Sequence, residues 1–122
     1  DARAALADAL ETGQALIPGT DIARLVDADV AFHDAIHTLS GNPEIAHTVA
    51  EQWPQFMRSM GFVLTGTERA PVIWQQHRAI AGAILDGDGE TAERLSREHA
   101  EAAARQAVDE LTRHQAAIEA EA

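Results

Sequence analysis

Apolar residues return every third or fourth position along most of the chain, and nowhere do they alternate with polar ones as a strand requires. That periodicity admits helices and little else. Gly, Pro and Asn punctuation divides it, which predicts an all-α antiparallel helical bundle. The first helix is expected at about Ala2 to Leu16, and Thr20 or Asp21 can cap a second that runs to about Leu39. In "SGNP", Gly41 suits the left-handed position after a helix, Asn42 a cap and Pro43 a first helical turn. A third helix then runs from Pro43 to about Leu64, with a kink or break expected near Trp53 because Pro54 lacks a backbone donor. "TGTERAP" reads as a loop, a fourth helix covers about Val72 to Leu85, and a fifth runs from about Glu90 past Ile118.

A chain of 122 residues suits one domain with one core, residues 1–122 together. With two Trp, three Phe and no Tyr, aliphatic side chains must fill most of that core. The first residue is Asp1 rather than Met, which reads as a piece of a longer protein. No apolar run approaches the ~20 residues of a membrane span, and the chain is expected to be cytoplasmic with no membrane partner. Cysteine is absent, so disulfides and thiolate metal sites are excluded. The net charge is −11 and all basic residues are scattered arginines, a poor surface for nucleic acid.

Some polar residues fall where they should not. On a wheel of ~100° per residue, Ile22, Leu25, Val26, Asp29, His33 and Ile36 share one side of the second helix. Asp27, Asp34 and Thr38 take the other. Asp29 and His33 therefore lie one turn apart on the apolar face. In the fourth helix His77 sits in the stripe of Ile73, Ile80, Ala81 and Ile84. In the fifth, His99 follows the line of Ala92, Leu95, Ala102 and Gln106, and a second line through Ala100, Ala104, Val108, Leu111 and Ile118 suggests burial on two sides. His37, His47 and His114 sit at stripe edges or in less clear settings.

Taken singly, each inward histidine reads as a core residue bonded to a backbone carbonyl. Taken together, one carboxylate and three imidazoles from three helices form an N₃O set suited to Zn, Ni, Mn or Fe as the divalent ion. A metal would also neutralise a carboxylate that is costly to bury alone.

"DVAFHDAIHTLSGNP", "QHRAIAGAILDGD" and "AERLSREHAEAA" resemble the FCD domain, the ligand-sensing C-terminal domain of FadR-subfamily regulators in the GntR family of transcription regulators. The resemblance runs from about Asp29 to Ala103. It implies that Asp29, His33, His77 and His99 bind a divalent metal, the residues that the wheels single out. It implies a homodimer that senses a small organic acid, and DNA binding through a winged helix-turn-helix domain that this chain does not contain. Ala2–Leu16 looks like the second helix of the family, so the first is expected to be missing. Arg58 is the candidate anion partner, although its wheel position is off the apolar stripe; Arg69, before the fourth helix, is no stronger.

Two other readings remain at this stage. A helical metalloenzyme would want paired Glu-x-x-His motifs or a general base near the metal, and the chain offers only "EIAH" at Glu44–His47. The expectation is therefore no enzyme. A structural dimerisation bundle would have the four residues hydrogen-bond one another.

Overall fold

The computed structural model describes residues 1–17, 21–64 and 69–122. Among them six helices account for the fold: α1 (Ala2–Ala15), α2 (Ile22–Leu39), α3 (Pro43–Ala50), α4 (Trp53–Leu64), α5 (Ala70–Leu85) and α6 (Gly89–Glu121). The fold is an all-α bundle.

Side-chain caps set most of the starts. Asp1 accepts from the N–H of Arg3, Asp21 from that of Arg24, Asn42 from that of Glu44 and Asp88 from that of Thr91. Each satisfies a backbone donor that the first helical turn leaves over. Thr20, the other cap considered for α2, lies outside the described residues. Gly41 (φ 73°) and Gly87 (φ 77°) take the left-handed turns that end α2 and α5, where a Cβ would be strained.

The expected third helix is two helices. Glu51 and Gln52 turn the chain, with the Gln52 N–H bonded to the Val49 carbonyl at 2.8 Å, and α4 restarts at Trp53. Pro54 thereby falls in the first turn of α4, where no intrahelical donor is needed. Pro71 plays the same part in α5, which begins at Ala70, earlier than the apolar stripe suggests.

Helix α2 packs on α1, α3 and α4, α5 packs on α1 and α6, and α4 also meets α6. Leu6, Phe32, Met60, Leu64, Trp74 and Ile80 are among the buried residues at the centre. Burial of each such side chain contributes roughly 1.5–3 kcal/mol. Gly13 on α1 is buried against the Trp74 ring.

The two-sided burial expected for α6 does not occur. Val108, Leu111 and Ile118 are 62%, 45% and 55% exposed. The reason is length: α6 has 33 residues against 12 in α4 and 16 in α5, so its C-terminal part outruns its neighbours by several turns.

Candidate metal centre

Asp29 and His33 reach the bundle interior from one face of α2, His77 from the middle of α5 and His99 from α6. The wheel positions explain why each points inward, and neighbouring rings fix how. Phe32 stacks on His77 with centroids 4.1 Å apart and planes at 11°, and Trp74 meets the same imidazole edge-on at 4.5 Å. The His33 and His99 rings stack at 5.6 Å, with Phe56 against the edge of His33. Asp29 and His77 are 2% and 0% exposed.

The polar atoms converge. His77 Nε2 lies 3.1 Å from Asp29 Oδ1 and 3.3 Å from His99 Nε2, and His33 Nε2 is 3.5 Å from the same carboxylate oxygen. One ligand atom from each of His33, His77 and His99 falls within 4.8 Å of the others, a group that could hold a metal ion. Two donors ~2.1 Å from a common ion stand about 3.0 Å apart as octahedral neighbours and about 3.4 Å in a tetrahedron, which brackets the two His77 separations, while the His33 contact is wider.

A proton count tests the fit. His99 Nδ1 donates to Gln76 Oε1 at 2.6 Å, so a neutral His99 turns an unprotonated Nε2 toward the centre. A neutral His77 carries one proton, which can serve Asp29 or His99 through Nε2 but not both. A neutral His33 carries one proton too, within reach of the same Asp29 oxygen, while Asp29 Oδ2 and His77 Nδ1 are buried without a hydrogen bond. Lone pairs outnumber protons here, and a cation is the species that such a cluster fits.

The electrostatics agree with that count. Burial raises the Asp29 carboxyl pKa, but the approach of His33 and His77 outweighs it and holds the group well below the usual carboxylate range. Burial pushes His77 down, with His33 adding to the effect and Asp29 opposing it. His99 is lowered to about 4 by burial and then by the neighbouring His77 and His33. An ionised carboxylate among neutral imidazoles is the protonation state that a divalent ion needs.

The family model described as the FCD domain matches residues 1–102, which include all of these side chains. The chain belongs to the FCD domain family. FCD domains are ligand-sensing domains of GntR-family transcription regulators, so the role of this one is regulatory in outline. No curated protein and no solved structure matches the chain.

Beside the histidines, this FCD domain has a half-open cavity of about 640 Å³ between α2, α3, α4 and α6. His33 and His99 are among its lining residues, with Trp53, Phe56 and Met60 from α4. Arg58 does not line it: the residue is exposed on α4, about 200° around the helix from Phe56. Arg69 is half-buried and lines a separate recess of about 10 Å³ with Gln76 and His99, room for no more than a water.

Two residues near the centre escape sequence reasoning. Gln76 orients His99, and as a lone glutamine beside a histidine it carries no signal. His37 lines the cavity, with Nδ1 buried and unpaired and its ring stacked on Trp53. Its i+4 spacing from His33 was the available sign, since it extends the line of Asp29 and His33 by one turn.

Proposed function

We propose that this chain is the effector-binding and dimerisation domain of a FadR-subfamily regulator in the GntR family. In this reading Asp29, His33, His77 and His99 hold one divalent ion (Zn, Ni, Mn or Fe), and a small organic acid binds beside it. The observation that carries it is the set of converging, proton-poor ligand atoms, with His99 turned toward the centre by Gln76. A bound ion supplies positive charge for the acid's carboxylate.

The chain's own residues do the rest. Phe32 and Trp74 keep the His77 ring in one orientation, and burial favours the neutral form of His77 and His99. The centre ties α2, α5 and α6 together while α4 walls the cavity, so an acid bound preferentially in one helix arrangement shifts the population toward it. That shift would be relayed in a cytoplasmic homodimer to a winged helix-turn-helix domain, the part that contacts operator DNA.

The test is elemental analysis of protein purified without an affinity tag, followed by calorimetry with a library of carboxylates. Close to one ion per chain is expected, with acid binding that weakens at least tenfold after His77→Ala or chelation. The acid should be recovered unchanged. Turnover of the acid would favour a metalloenzyme, and protein that takes up no metal and binds no acid would favour a structural bundle.

A further inference from the structure

The cavity beside the histidines has a chemical character of its own. Trp53, Phe56 and Met60 face it from α4, and Ala103, Ala104 and Ala107 face it from α6. Among the described residues, its polar side chains are three histidines and Ser59, and neither an arginine nor a carboxylate lines it. We infer that this cavity takes a monocarboxylate with an apolar body, an aryl or medium-chain aliphatic acid, in preference to a hydroxylated or multiply charged acid. The inference rests on the reading of the domain as an acid sensor and adds the class of acid.

Charge is the first argument. The part of the lining formed by His33 and His99 is the place for one carboxylate. A second carboxylate farther along would lose its water against indole, phenyl and methyl groups with no cation to pair with, because Arg58 faces solvent and Arg69 lies in a different recess. Hydroxyl groups meet the same obstacle, since a polyol needs several partners.

Size is the second. About 640 Å³ of half-open cavity gives room for a ring or a chain of several carbons. A three-carbon hydroxy acid would leave most of that space as water against apolar walls. A ring or chain gains there by displacing it.

Calorimetry on the metal-loaded chain tests the inference with two series: phenylacetate and octanoate against lactate, citrate and gluconate. The apolar acids should bind at least about tenfold tighter. Trp53→Ala should cost them about tenfold or more, and the amount of metal bound per chain should not change. Ala104→Glu changes an exposed α6 residue on the cavity wall; it should fold normally and abolish phenylacetate binding. Tighter binding of citrate or gluconate would overturn the inference and leave the acid-sensor reading intact. Apolar acids that bind equally well without metal, yet depend on Trp53, would uphold the cavity's selectivity and overturn the metal-dependent sensor. Binding of neither series, with self-association abolished by Ala104→Glu, would make the cavity an interface between copies and overturn both.

Discussion

His77 has no room to turn: Phe32 covers one face, Trp74 closes one edge, and the residue is 0% exposed. Such a ring must stay neutral to be comfortable, and that gives stability a pH dependence of definite sign. His77 and His99 are lowered from their ordinary 6.5, His99 to about 4, so between those values the unfolded chain holds more protons than the folded one. Their contribution to stability is complete above about 6.5 and is lost as pH falls toward about 4. Asp29, lowered as well, contributes above the ordinary carboxylate range and adds a further loss below it. The melting temperature of metal-free protein, followed by circular dichroism, should therefore drop between pH 7 and 4.5, and His99→Gln should flatten the drop. A level profile would contradict the burial of these imidazoles in neutral form. Metal should steepen the dependence, because protons and the ion compete for the same nitrogens.

At the scale of the helices, α1 and α5 meet at the close approach of Gly13 to Trp74. Gly→Ala inside a helix normally stabilises by up to ~1 kcal/mol. At Gly13 the sign reverses, because the added methyl would overlap the six-membered ring of Trp74, itself packed against Phe32 and His77. Gly13→Ala should cost about 1–3 kcal/mol in urea unfolding, and a stabilised variant would show that the indole can move away. Local signals made most element boundaries legible: Asp21 and Asn42 cap, Gly41 turns, and the wheel of α2 turns Asp29 and His33 inward. Pro54 announces the break near Trp53, and the turn at Glu51–Gln52 places it between α3 and α4. What eluded sequence reasoning depends on partners. The second apolar line of α6 looks like a buried face until the lengths of α4 and α5 show that it runs past them, which leaves Ile118 exposed. The convergence of four side chains could be suspected from three separate wheels, whereas Gln76 behind His99 is a relation between two helices that no wheel contains.

For the whole molecule, the net charge of −11 sets what it avoids. Its arginines are dispersed, several in pairs with glutamates on α6 such as Arg94–Glu98 and Arg113–Glu110, which leaves no basic stripe to track a phosphate backbone. The chain alone should retard no DNA duplex in a mobility-shift assay even at ~50 mM salt, where phosphate contacts count most. A shift under those conditions would point to a nucleic-acid surface within the bundle itself. One feature of composition also makes the molecule its own indicator. It has two tryptophans and no tyrosine, and both indoles border the histidines: Trp74 lies 4.5 Å from the His77 ring, and Trp53 stacks with His37 at 6.1 Å. Its near-ultraviolet emission thus arises wholly beside the centre. Zn²⁺, with its filled d shell, leaves such emission lit, whereas ions with unpaired electrons open a quenching route at this range. Titration in a plain fluorimeter therefore sorts the ion by its electrons, without dye or label.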